Sequence, residues 1–132
     1  MKKYFATILL MSMSAVSYAK EMYRTSAAGD SGTYYVLTQE EIEDGITKVL
    51  TSRIGKGNEY TDFTELKINC TSMQYFELAG SNEDGAKDNP TKPLKDWSSN
   101  SKWTSLVTGS SKYDLVKFIC KLSSFQIGSI AA

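Results

Sequence analysis

The chain has 132 residues, 15 basic and 15 acidic side chains, two cysteines and no histidine. Without histidine there is no Ser-His-Asp or Cys-His nucleophile pair, no histidine metal ligand and no imidazole titrating near neutral pH. The balanced charge lacks the concentrated basic face that a nucleic-acid binder normally shows.

Residues 1–19, MKKYFATILLMSMSAVSYA, read as a secretory signal peptide. Lys2 and Lys3 give a positive start, residues 5–16 are mostly apolar, and Ser17-Tyr18-Ala19 places small residues at both recognition positions, so cleavage is expected between Ala19 and Lys20. The apolar run falls short of the roughly 18–20 residues that span a bilayer, so no membrane insertion of the mature chain is expected. A lipid anchor would need a cysteine directly after the signal, where the sequence has Lys20-Glu21-Met22. Loss of two lysines leaves thirteen basic against fifteen acidic side chains, a formal charge of −2. The expected location is the periplasm, the medium or the cell surface.

About 110 mature residues suit one small domain that gains from a covalent staple. Cys70 and Cys120 form an even pair in an exported chain and read as one disulfide, worth roughly 4 kcal/mol on the loop-entropy model. The other reading is two buried thiols packing as small hydrophobes.

Residues 20–33 contain Ser, Ala, Gly and Asp without an apolar period and read as a flexible N-terminal arm. Residues 33–37, TYYVL, suit a strand. Residues 38–57 can be read two ways. Thr38 with Glu41 resembles a capping box, with Ile42, Ile46, Val49 and Leu50 on one helical face; Asp44-Gly45 is instead a turn signal followed by the branched Ile46, Thr47, Val49, Thr51 and Ile54 of a strand over 46–54. Gly55-Lys56-Gly57-Asn58 marks a turn. Residues 62–69 alternate, with Leu66, Ile68 and Cys70 on one side and Glu65, Lys67 and Asn69 on the other. Residues 72–78 read as continued extended chain, with a bulge or bend after Cys70 where the alternation shifts phase. Residues 79–100, with Pro90 and Pro93 and few apolar side chains, read as a long solvent-exposed loop. A helix is expected over 112–122, started by Ser111 and Asp114, with Cys120 packed above Cys70; residues 123–132 read as a tail.

One combination resembles a known family: a tyrosine-rich extended segment, Tyr60, LKINC ending at Cys70, a long variable loop, Trp103, Gly109-Ser110, and FIC ending at Cys120. Over residues 34–122 the chain resembles the surface-adhesin protein E family of Gram-negative envelope proteins. That resemblance implies an α+β fold, a small antiparallel sheet packed against a C-terminal helix with the two cysteines joined, and it favours the strand over 46–54. The named member of the family is a surface protein that binds host matrix proteins, an activity that fold alone does not carry over. This sequence departs from it in lacking a lipid-attachment cysteine and dense basic character around Lys67.

Candidate chemistry is sparse. A Ser-Lys dyad drawn from Ser98, Ser99, Ser101, Ser105, Ser110 or Ser111 with Lys102 or Lys112 would need a buried, deprotonated lysine that nothing signals. Glu40-Glu41 and Glu83-Asp84 are adjacent and read as solvated pairs. The spacing of Glu83, Asp84 and Asp88 does not match a D-x-D-x-D-G calcium loop, so neither metal nor cofactor is expected. Asn69-Cys70-Thr71 matches a glycosylation acceptor but sits in a strand with the bridge cysteine. Trp103 reads as core; Trp97, in the polar loop, is placed between core and contact surface. The sequence therefore reads as an exported, non-catalytic domain that binds a protein partner through the 79–100 loop, with Trp97 as anchor and Glu83, Asp84, Lys92 and Lys95 around it. A small periplasmic inhibitor or immunity protein is the alternative, and a homodimer is compatible with either.

Mass spectrometry of the envelope fraction should find a mature chain beginning at Lys20. A chain still beginning at Met1 in the cytoplasm would contradict export.

Overall fold

The computed structural model describes Val16, residues 20–121 and the backbone of residues 122–131. The expected cleavage position at Ala19, and all of the signal peptide but Val16, lie outside the described residues. Among the described residues there are seven strands, of which the first six form an antiparallel meander: β1 (Glu21–Arg24), β2 (Thr33–Glu43), β3 (Ile46–Ile54), β4 (Tyr60–Asn69), β5 (Gln74–Asp84), β6 (Lys95–Asp96) and β7 (Thr104–Ser105). The sheet order is β1-β2-β3-β4-β5-β6, and β7 pairs with another stretch of β5. One helix, α1 (Ser111–Ala131), closes the concave face against β1 and β5. The expected sheet, C-terminal helix and single disulfide are present, although the domain is mostly strand and α+β describes it only roughly.

The β2–β3 hairpin settles the ambiguous segment. Gly45 takes φ +79 at the turn, a conformation that glycine adopts without steric cost, and β3 covers residues 46–54 as the branched side chains require. The helix reading of this segment therefore fails, and β2 runs on to Glu43. A second correction concerns residues 70–73, where the chain reverses rather than continuing extended. Asn69 Oδ1 accepts hydrogen bonds from the amides of Thr71 (2.9 Å) and Ser72 (3.0 Å), and Met73 sits at φ 56. The phase shift after Cys70 is thus a hairpin turn. Bulges do occur, at Leu37 in β2 and Leu78 in β5, where the register skips one residue; such insertions bend a strand and tighten its twist.

The core forms where α1 lies on the sheet. Val36, Val49, Leu66 and Ile68 from β2, β3 and β4 meet Leu115, Val116, Ile119 and Cys120, all buried. Cys70 and Cys120 are bonded, with Cα atoms 5.4 Å apart, so the end of β4 is tied covalently to the third turn of the helix. The helix starts one residue earlier than the Ser111–Asp114 box implied: Ser110 Oγ accepts from the Tyr113 amide at 3.1 Å and is the cap. Its backbone also continues through the residues read as a tail, to Ala131.

Residues 20–33 are not a loose arm. β1 pairs with β2, Tyr23 packs on Tyr34 and Phe118, and the guanidinium of Arg24 is buried. Arg24 Nη1 donates to Asp114 Oδ2 at 2.7 Å and to the Gly109 carbonyl at 3.3 Å, while Nη2 reaches the Ala28 carbonyl at 3.3 Å. One side chain so joins the N-terminal strand to the start of α1, and the ordered chain extends past both ends of the expected 34–122 unit.

Cys70→Ala should destabilise the protein by roughly 2–5 kcal/mol, the range for small exported domains losing a native disulfide. Denaturant unfolding of the unreduced protein measures this, and two titratable thiols in the wild type would contradict the bridge.

Candidate functional site

The side chains of β4 on the concave face read, in order, Tyr60, Asp62, Thr64, Leu66 and Ile68, because successive residues of a strand alternate between faces. Helix α1 covers the apolar end. At the other end, register aligns Arg24, Tyr34, Arg53, Asp62 and Asn82 in one row across β1 to β5. The row is hydrogen-bonded along most of its length. Arg53 Nε donates to the Tyr34 hydroxyl at 2.9 Å, its Nη1 donates to the Tyr60 hydroxyl and lies 3.9 Å from Asp62, and Asn82 Nδ2 donates to Asp62 Oδ1 at 2.6 Å. Asp30 closes the other end, accepting from the Gly32 amide at 2.7 Å and the Tyr34 hydroxyl at 3.0 Å, and these bonds hold its carboxyl below the usual carboxylate range.

Beside this row lies a groove of about 540 Å³ whose walls include Asp62, Glu77, Gly80, Lys92, Lys95 and Trp97. Register puts Gly80 and Lys95 opposite each other, and the Trp97 amide donates to the Leu78 carbonyl at 2.8 Å. The Trp97 ring lies directly on Gly80: a Cβ built there would stand 2.1 Å from the indole. Glycine is needed at that position because the ring occupies the space of a side chain. Glu77 pairs with Lys112 of the helix at 3.5 Å, joining the groove to α1.

The segment carrying Lys92, Lys95 and Trp97 is held in place, which corrects the long exposed loop expected over residues 79–100. β5 continues to Asp84 and β6 pairs with it, so the connection proper is residues 85–94. Glu83, only 6% exposed, accepts from Thr91 through both its amide (2.8 Å) and its hydroxyl (2.6 Å). The Thr61 hydroxyl accepts from the Lys87 amide at 2.9 Å and donates to the Gly85 carbonyl at 2.7 Å, and Asp88 pairs with Lys20 at 2.8 Å. Cross-strand alignment of Glu83 with Thr61 puts this anchorage on the convex face, opposite the groove. The hydrogen bonds from Thr91, with Lys87 at 3.8 Å, hold the Glu83 carboxyl below its ordinary range.

Of the five side chains expected to contact a partner, the structure brings Trp97, Lys92 and Lys95 together. Glu83 is buried and bonded to Thr91, and Asp84 is exposed at the end of β5, away from the groove walls. Trp103 is not core either; it packs on Phe76 on the convex face, ring centroids 5.6 Å apart. Sequence reasoning missed Asp62, Glu77 and Asn82. The signal for Asp62 was present, a carboxylate in phase with Leu66 and Ile68 on an otherwise inward face. Among the described residues no group of three or more His, Cys, Asp or Glu stands close enough to hold a metal ion.

Compared with known proteins, the chain matches no family model, no curated protein and no solved structure.

The carboxyl groups of Glu83 and Asp30 are both depressed on folding, so their contribution to stability is present above the unfolded-state pKa and is lost as pH falls through the native one. Thermal melts should therefore move to lower temperature as pH drops below about 5, and Glu83→Gln should flatten part of that slope. An unchanged slope would show that Glu83 is not held as described.

Proposed function

We propose that this chain is an exported, non-catalytic domain that binds a protein partner in the envelope or at the cell surface, through the groove walled by Lys92, Lys95 and Trp97. One observation carries this reading. Two exposed ammonium groups, neither paired with a carboxylate among the described residues, flank a tryptophan already fixed on Gly80 in a groove whose outer wall is pinned from behind. Binding then needs little ordering of the site, and the half-buried indole supplies the aromatic anchor that interfaces favour. The resemblance of Cys70, Trp103, Gly109, Ser110 and Cys120 to motifs of the surface-adhesin protein E family supports the same class of function.

The absence of catalysis is part of the proposal. There is no histidine in the sequence, both cysteines are bonded to each other, and Ser110 is engaged as a helix cap. An inhibitor or immunity protein is the second reading, favoured by the anchorage of residues 85–94 at Thr61, Glu83 and Lys20, since a fixed loop is what an inhibitor inserts into an active site.

A photo-reactive residue in place of Lys95, in intact cells, should yield one discrete protein adduct, and Lys92→Glu should weaken that interaction by about tenfold or more. An adduct that is a toxin or lytic enzyme selects the second reading. Absence of any protein adduct, or one indifferent to Lys92→Glu, would contradict binding at the groove.

A further inference from the structure

All fifteen acidic side chains of the sequence lie between Glu21 and Asp114, within the described residues, so every side-chain carboxylate that could neutralise the groove has its place in the structure. Two of them line the groove, and each faces a cation from another element. Asp62 Oδ1 accepts from Asn82 at 2.6 Å and Oδ2 stands 3.9 Å from Arg53, while Glu77 stands 3.5 Å from Lys112. Lys92 and Lys95, on the same groove, are exposed and form no ion pair among the described residues. The acidic residues beside them are engaged elsewhere. Asp96 follows Lys95 in β6, so its side chain takes the opposite face, where it accepts from the Ser98 amide (2.8 Å) and hydroxyl (2.6 Å). Glu83, whose carboxylate feels Lys92, is bonded twice to Thr91 and stands 3.8 Å from Lys87. Uncompensated positive charge is therefore gathered on one wall of the groove.

The apolar part of the site is held at a set distance from that charge. Trp97 comes two residues after Lys95, both line the groove, and two residues of extended chain span roughly 7 Å. The indole is fixed on Gly80 and its amide on the Leu78 carbonyl, so the spacing exists before any ligand arrives. An extended peptide repeats its side chains on one face at the same two-residue interval, so an acidic and an apolar side chain at i and i+2 meet Lys95 and Trp97 together. Two free ammonium groups match two carboxylates, whereas a polyanion such as nucleic acid is gripped by many more. We propose that the groove takes an extended acidic segment of a protein, with carboxylates on Lys92 and Lys95 and an apolar side chain, two residues from one of them, on Trp97. The proposal rests on the groove being the partner site and adds the chemistry of what enters it.

The test selects peptides from a phage-displayed library of random dodecamers on the mature, disulfide-bonded protein at low salt. Enriched sequences should carry at least two Asp or Glu, one of them two positions from a bulky apolar residue. A synthetic copy of the most enriched peptide, followed by fluorescence anisotropy, should bind about threefold or more weakly to Lys92→Gln or Lys95→Gln, both at exposed positions. Its affinity for the wild type should fall as salt screens the exposed charges. Replacing an acidic residue of the peptide by Gln should weaken binding to the wild type by a similar factor and have almost no further effect on the lysine variant it pairs with, the coupling expected of a direct contact. Enrichment of neutral or basic peptides, no enrichment, or acidic peptides indifferent to both lysine variants would overturn the proposal. A protein adduct at Lys95 in cells, alongside neutral selected peptides, would keep the groove as the partner site and overturn its acidic specificity alone.

Discussion

The constraint on which this structure depends is one of coverage: among the described residues a single α-helix serves a seven-stranded curled sheet. A helix is only about 10–12 Å across with its side chains, whereas strands repeat every 4.7–4.9 Å or so, and one helix can shield only part of such a face. The apolar residues are placed accordingly. Val36, Val49, Leu66 and Ile68 lie under α1, and the same strands turn polar where its cover ends, at Tyr34, Arg53 and Asp62. Two ties fix the helix over the apolar end: the Cys70–Cys120 bond at its third turn, and the contact between buried Arg24 and Asp114 at its first. Both use a residue far away in the chain, so the position of α1 does not rest on local propensity.

The convex face meets the same shortage differently. Phe63 and Thr61 are fully buried there, and residues 85–94 double back so that the Thr61 hydroxyl bonds Gly85 and Lys87. A buried carboxylate is costly unless its oxygens are bonded, and Glu83 satisfies both of its oxygens on Thr91. The cover thereby becomes a fixed element. Its continuation crosses the β5 edge as β6 and delivers Lys95 and Trp97 to the concave face, so the groove is a consequence of how the opposite face is sealed.

Much of this was legible in the sequence, for physical reasons that differ by element. The strand over 46–54 and the alternation of β4 were readable because branched residues, a Gly-containing turn and a period of two agree with one another there. The bridge was readable because only one pairing exists. β1 was not, since four residues carry no period and its stability comes from Arg24 meeting Asp114, ninety positions away. The 79–100 segment misled for a related reason. Its polarity is real, but Glu83 and Thr91 use their polar groups on each other, and composition cannot distinguish a side chain bonded to water from one bonded to its neighbour. Trp97, Lys92 and Lys95 were found as a group because they are close in sequence; Asp62, Glu77 and Asn82 complete the site through sheet register alone.

The central claim is that residues 85–97 are a fixed wall. Native-state hydrogen exchange, read at the amides of Lys87, Thr91 and Trp97, tests it most directly. The account predicts that all three are protected in the wild type, and that Glu83→Ala releases Thr91 and Lys87 while β4 stays protected. Exchange of these amides in the wild type at the rate of an unstructured chain would contradict it.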